Sequence, residues 1–137
     1  MPPLIVDSRL VAAAAEYAEF FVETQWRLPQ NQPAGEYRTY AGQEVFVPGV
    51  HIGGDCRTFI DRALAQGYPL VAMGENAHGA SGSWAAPELF DTWILQGIGT
   101  GRAENPAHPA FSTIGIACYR LPPADLACVQ ILAASAP

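Results

Sequence analysis

The sequence contains no lysine, and its seven basic residues are all arginine. Thirteen acidic residues outnumber them and leave a formal net charge of -6 at pH 7. A chain without a basic stripe cannot neutralise a row of phosphates, so a nucleic-acid partner is not expected. Anionic membrane surfaces are disfavoured for the same electrostatic reason.

Long apolar runs are also missing. No run approaches the roughly 20 residues that span a bilayer, so no transmembrane segment is predicted. Residues 1–4 carry neither a basic segment nor an apolar stretch, so we expect no signal peptide in this chain. Three cysteines are too few for a disulfide scaffold, and an odd number leaves at least one unpaired.

The residues that are present suit one globular domain. The chain has 137 residues, of which half are hydrophobic and 15% charged. Asp7 or Ser8 is predicted to cap a first helix that runs to about Thr24. Residues 25–53 are rich in Pro, Gly, Gln and Asn, which predicts a long irregular loop containing one short strand at residues 44–47.

A second helix is predicted between Asp55 as its N-terminal cap and Gly67 as its C-terminal stop. Residues 68–73 then favour a short buried strand, and residues 74–82 a turn-rich loop. Ser83 is predicted to cap a third helix.

Two strands are predicted at residues 111–120 and 126–133, joined by a short turn. If Arg120 pairs with Leu126, the same register places Cys118 opposite Cys128. The two cysteines then form a disulfide in an oxidising compartment, or remain two buried thiols; Cys56 stays free in both cases.

Together these elements predict an α+β fold, a three-layer α-β-α sandwich around a short, mainly antiparallel sheet. One domain is expected over residues 1–137, with the irregular loop at about 25–53 and the C-terminal hairpin at about 111–133.

Several short motifs follow one another along the chain in an order that can be compared with known families. His51 lies eleven residues before Arg62, which opens the run Arg-Ala-Leu-Ala-Gln-Gly-Tyr-Pro, and Gly-Glu-Asn follows with Glu75 at its centre. Downstream come Trp93 and the segment Pro-Ala-Phe-Ser that begins at Pro109. As a set, these residues resemble the bacterial pattern of the CAP superfamily, the cysteine-rich secretory, antigen 5 and pathogenesis-related proteins. The resemblance covers most of the chain.

The resemblance implies a central cleft lined by two histidines and two acidic residues. His51 matches the first histidine, Glu75 matches one acid, and Gln96 takes the position of the other. The second histidine has no counterpart, because Gly99 occupies its position. The neighbouring candidates for the cleft are Asn76, His78, Arg102 and His108.

In some members of this superfamily the cleft holds a divalent metal. If a metal binds here, the resemblance assigns His51 and Glu75 as its ligands. One imidazole, one carboxylate and one amide make a poor transition-metal site, so a weak divalent site is the most we expect, with no other cofactor. The alternative is that His51 and Glu75 form a structural hydrogen-bonded pair.

The resemblance implies an extracellular or periplasmic protein. Our leading prediction is a non-enzymatic module that binds a small apolar ligand, or a protein or cell-surface partner, through its cleft and loops. One alternative is a hydrolase in which His51 and Glu75 activate water, with or without a metal. Another is a structural subunit or oligomer of an extracellular assembly, since the superfamily's usual first helix is missing and leaves apolar surface to cover.

Overall fold

A computed structural model describes residues 4–25, 35–48, 51–53, 55–81, 111–121 and 125–135. Its elements in chain order are β1 Ile5–Val6, α1 Ser8–Phe20, β2 Glu36–Tyr40, β3 Gln43–Val47, α2 Phe59–Ala65, β4 Met73–Ser81, β5 Thr113–Leu121 and β6 Asp125–Ala133. They confirm the predicted α+β class, whereas the predicted third helix lies outside the described residues. Within the described ranges, no helix is long and apolar enough to cross a membrane.

The main sheet has four strands in the order β1-β5-β6-β4. Only β1 pairs in parallel, so the sheet is mainly antiparallel, as predicted. Arg120 pairs with Leu126 and Cys118 with Cys128, which confirms the predicted hairpin register. Every residue of β6 is buried, so this central strand lies within the core.

Helix α1 packs on β5 and β6 through a face of small and apolar residues. Asp7 caps it by accepting a 2.9 Å hydrogen bond from the Arg9 backbone N–H, as predicted. A short π-helical turn, Phe21–Gln25, continues the helix. The buried face of α1 consists of Leu10, Ala13, Ala14, Tyr17 and Ala18.

The Asp7 cap gives a pH-dependent prediction. Hydrogen bonds from the Arg9 side chain lower the pKa of Asp7. A lowered pKa stabilises the fold above the ordinary aspartate value of about 3.9, and this stabilisation is lost as pH falls through the folded-state pKa. We expect Asp7→Ala to lower the free energy of unfolding by about 1 kcal/mol at pH 7.

Asp7→Asn is the matched control, because asparagine caps a helix about as well but carries no charge. Urea unfolding should show a gap between wild type and Asp7→Asn at pH 7 that shrinks below pH ~4. A gap that widens on acidification would contradict this account.

The segment predicted as a long irregular loop contains a β-hairpin. The strand predicted at residues 44–47 is present as β3, but β2 pairs with it in full register, and this partner was not predicted. The turn residues Ala41 and Gly42 both have positive φ, 50° and 79°. Alanine is unusual in such a turn, so the usual Asn-Gly hairpin signal was missing from the sequence.

The N-terminal cap of α2 is Thr58, and the prediction of Asp55 is wrong. Thr58 Oγ1 accepts from the Asp61 backbone, and the Asp61 carboxylate accepts from the Thr58 backbone at 2.9 Å. This is a reciprocal capping box with aspartate in place of the usual glutamate. Asp55 instead accepts from the Arg57 backbone, and Gly67 ends the helix region with φ +88°, as a C-terminal stop requires.

The structure reverses the predicted order of strand and loop after α2. Residues 68–72 do not form a strand. Tyr68 is nevertheless buried, as predicted for this segment, and its hydroxyl is hydrogen-bonded to Thr113 Oγ1 at 2.6 Å. The strand is β4, which contains the predicted turn-rich loop up to Ser81. Gly74, Glu75 and Asn76 therefore lie in a buried strand rather than in a loop.

Cys118 and Cys128 form a disulfide between β5 and β6. This confirms the first of the two predicted alternatives. Cys56 is free and exposed, and it lies in the turn before α2 with φ 63°.

We expect loss of this disulfide to have a measurable effect on stability. For a bridge that spans ten residues, the chain-entropy relation gives about 2–3 kcal/mol. Cys118→Ala/Cys128→Ala should therefore lower the melting temperature by roughly 10 °C. The reductant dithiothreitol should lower the wild-type value similarly and leave the double variant unchanged. A reductant effect that persists in the double variant would assign the stabilisation elsewhere.

Candidate functional site

The loop before α2 positions His51. The backbone N–H of His51 donates to the Pro48 carbonyl oxygen at 2.9 Å, and an isolated antiparallel bridge joins Ile52 to Thr58. These contacts fold the loop back onto the start of α2. Glu75 approaches from the other side, on β4 of the main sheet.

His51 and Glu75 meet in a short hydrogen bond. His51 Nδ1 lies 2.8 Å from Glu75 Oε1, and because an ionised carboxylate only accepts, the imidazole N–H is the donor. The His51 side chain is 20% exposed, whereas the Glu75 side chain is 0% exposed. The carboxylate thus lies behind the imidazole and orients it, as buried acids commonly orient histidines.

Arg62 is the third member of this buried cluster, and sequence reasoning did not assign it a place there. It lies on α2, is 1% exposed, and places Nη2 3.4 Å from Glu75 Oε2. The same nitrogen donates to the His51 carbonyl at 3.4 Å. One oxygen of Glu75 therefore faces His51 and the other faces Arg62. We call His51, Arg62 and Glu75 the buried cluster.

Tyr17 of α1 covers the buried cluster. The Arg62 guanidinium carbon lies 4.1 Å from the centre of the Tyr17 ring, within cation–π range. Burial raises the pKa of Tyr17 well above its ordinary range, and the Glu75 charge adds to the rise. The phenol therefore stays neutral and acts as a packing group between helix and cluster.

Of the other residues predicted to line the cleft, the structure describes Asn76 and His78. Asn76 is 3% exposed and donates to Gln130 Oε1 at 2.8 Å, an interaction between β4 and β6. His78 lies further along β4, at the register position opposite Cys128. Gln96, Arg102 and His108 lie outside the described residues, so their place in the cleft stays a prediction.

The described residues do not fit a metal ion. No three His, Cys, Asp or Glu side chains within the described ranges gather closely enough to hold one. Glu75 directs one oxygen at an imidazole N–H and the other at a guanidinium, which leaves it poorly placed as a ligand. His51 directs Nδ1 at Glu75, whereas its second ring nitrogen, Nε2, does not face that carboxylate.

A separate groove lies between the hairpin and the segment that enters β4. Its volume is about 480 Å³, within the usual range for small-molecule sites. Leu70, at its edge, is 42% exposed. We call this cavity the hairpin groove. Its lining residues are Tyr40, Ala41, Gln43, Val45, Ile60, Leu70, Val71, Ala72 and Met73.

Contacts with α2 hold the hairpin wall of this groove in place. The Tyr40 hydroxyl lies 2.6 Å from Thr58 Oγ1 and donates to Asp61 Oδ1 at 3.0 Å. Arg38 donates to the Cys56 carbonyl at 2.7 Å. The hairpin is thereby tied to the N-terminus of the same helix that carries Arg62.

These features define an α+β domain in which a buried His–Arg–Glu cluster joins the loop, helix and sheet. A model of the cysteine-rich secretory protein family, CAP, matches residues 1–132, so the chain belongs to this family. Membership confirms the resemblance noted in the sequence and fits a secreted module. No curated protein and no solved structure matches the chain.

Proposed function

We propose that this chain is an exported, non-enzymatic member of its family that binds a small apolar molecule in the hairpin groove. The observation that carries the proposal is the groove itself, about 480 Å³ and lined largely by aliphatic side chains. None of the described side chains in this lining carries a formal charge. Burying a charged ligand there would leave it unpaired, which favours a neutral, apolar one.

Export is supported by two observations. Proteins of this family are typically extracellular, and the Cys118–Cys128 disulfide suits an oxidising compartment. Disulfides are rare where thiols are kept reduced, so the bridge favours a location outside the cytoplasm.

A non-enzymatic role is supported by the arrangement of the buried cluster. A general base that activates water needs a free acceptor within reach of the reacting proton. Glu75 is fully buried and directs its two oxygens at His51 and Arg62. This geometry favours a structural role for Glu75 over a role as the base that activates water.

A dye titration tests the proposed function. We expect the neutral dye Nile red to bind with saturation and to be displaced by dodecanol. Leu70→Ser should weaken binding about fivefold or more, because it removes apolar contact area from the groove.

Ile116→Ser is the matched control, because Ile116 is 45% exposed on β5 and does not line the groove. It should bind like wild type. Equal losses in both variants, or no saturable signal, would count against the hairpin groove.

A further inference from the structure

The hairpin formed by β2 and β3 has a second face, which lies opposite the hairpin groove. Side chains alternate between the two faces of paired strands, so Tyr37 and Phe46 lie on the face that Tyr40 does not share. Thr39 and Glu44 lie on this second face as well, and all four side chains are exposed. We call Tyr37, Thr39, Glu44 and Phe46 the outer hairpin face. The proposed function does not use it.

Two aromatic rings on the outer hairpin face are open to solvent. Tyr37 is 68% exposed and Phe46 is 52% exposed. The two residues are directly opposite each other in the strand register, and their ring centres lie 5.1 Å apart with the planes 59° from each other. Aromatic side chains are enriched where proteins bind partners, so an exposed pair indicates a surface that a partner covers.

Gly35 holds the Phe46 ring in place. A Cβ on Gly35 would overlap this ring, so the ring lies directly over the glycine. Phe46 is therefore fixed between Gly35 and the Tyr37 ring although half of its surface is exposed. A ring that is already ordered loses little conformational entropy when a partner binds.

The charge of the outer hairpin face is negative. Glu44 lies diagonally across the strands from Tyr37, close enough for one bound group to contact both side chains. Within the described part of the chain, nothing forms an ion pair with the Glu44 carboxylate. Arg38 lies on the other face of the hairpin, where it pairs with Glu36 and Asp61. Exposed aromatic rings beside an unpaired carboxylate are complementary to a cation, and the net charge of -6 adds a general attraction.

The openness of this face favours a cation carried by a protein. None of its four side chains lines the hairpin groove, and a small molecule on such an exposed surface would stay largely in water. A protein partner excludes that water with the rest of its interface. Among protein cations, the planar guanidinium of arginine stacks on aromatic rings and pairs with a carboxylate through two N–H groups. The ammonium of lysine is a strongly hydrated point charge.

We infer that the outer hairpin face is a docking surface for an arginine side chain of a partner protein. The guanidinium stacks on the Tyr37 ring and donates to the Glu44 carboxylate, and Phe46 supports the Tyr37 ring from the side. This surface goes beyond the proposed function, because it needs neither the hairpin groove nor an apolar ligand.

Aromatic NMR of the full chain tests this surface with two matched peptides. The first is Ac-Ala-Arg-Ala-NH₂, and in the second citrulline replaces arginine, which keeps the shape of the side chain but removes its charge. We expect the arginine peptide to shift the Tyr37 and Phe46 ring signals with saturation. The citrulline peptide should bind about threefold more weakly or worse.

Two glutamate variants locate the charge that the peptide recognises. Glu44→Gln should weaken binding of the arginine peptide about threefold and leave the citrulline peptide unchanged. Glu36→Gln is the matched control, because it removes one negative charge from the same hairpin but from its opposite face. It should bind both peptides like wild type.

A third variant tests the stacking. Tyr37→Leu keeps an apolar side chain but removes the ring, so the arginine peptide should lose affinity while the fold persists by circular dichroism. The Phe46 ring signals report binding in this variant.

Four results would overturn the inference. The first is the absence of any saturable shift with the arginine peptide, and the second is equal binding of the citrulline peptide. The third is an equal loss in Glu36→Gln and Glu44→Gln, which would assign the effect to net charge alone. The fourth is saturable binding of methyl β-glucoside in place of the arginine peptide, which would make the surface a carbohydrate site.

Discussion

Replacing Glu75 with alanine is expected to lower the free energy of unfolding by about 3–5 kcal/mol. The change removes the carboxylate from a cluster in which Arg62 is 1% exposed. The guanidinium would then keep its charge in a buried site, where it still donates to the Arg57 and His51 carbonyls and stacks on the Tyr17 ring. His51 would lose the acceptor of its Nδ1–H at the same time.

Two further variants show whether the buried charge causes this loss. Glu75→Gln keeps the shape and an acceptor oxygen but not the charge, so its loss should be smaller than that of alanine. Arg62→Met/Glu75→Leu removes both charges and should recover part of the stability, as replacements of buried ion pairs often do. Urea unfolding measures all four proteins. A double variant no more stable than Glu75→Ala would contradict the electrostatic explanation.

Gly115→Ala is expected to lower the free energy of unfolding by about 3 kcal/mol, at the upper end for overpacking. A Cβ at this position would overlap the backbone of Leu10 and Val11 and would lie 2.6 Å from Leu10 Cβ. Backbone atoms cannot rotate away as a flexible side chain can. Helix α1 would therefore have to move off β5, which would weaken its packing on the sheet.

The control for this prediction is Gly42→Ala. It has open space around the added Cβ but a φ of +79°, so it introduces backbone strain without a clash. Its expected loss is about 1 kcal/mol. Thermal unfolding of both variants compares the two effects. If Gly115→Ala were no worse than Gly42→Ala, the close contact between α1 and β5 would be in doubt.

The C-terminal hairpin could be predicted because its register depends on local information. A short turn joins two apolar strands, and pairing Arg120 with Leu126 determines every other pair, including Cys118 with Cys128. Helix α1 could also be predicted, since the spacing of its apolar residues and the Asp7 cap indicate the same helix. The motif comparison also brought out His51 and Glu75, which lie 24 residues apart and meet in the fold.

Strand β4 could not be predicted because its pattern is not that of an ordinary strand. Gly74, Glu75 and Asn76 are all buried, so polar and apolar residues do not alternate along it. A glycine next to two polar residues indicates a turn when only the sequence is considered.

The role of Arg62 was hidden for a different reason. An arginine on a short helix is expected to face solvent, and only the fold brings it to a carboxylate thirteen residues away. The cap of α2, by contrast, had a readable signal. Thr58 followed three residues later by Asp61 differs from the common capping box only in the length of the acidic side chain.

The proposed function separates a structural buried cluster from an apolar binding groove, and one measurement tests that separation. Nile red affinity would be compared among wild type, His51→Ala and Leu70→Ser under conditions where all three are folded. We predict that Leu70→Ser binds about fivefold more weakly or worse while His51→Ala binds like wild type. Lost binding in His51→Ala with unchanged binding in Leu70→Ser would contradict the account and move the ligand to the cluster.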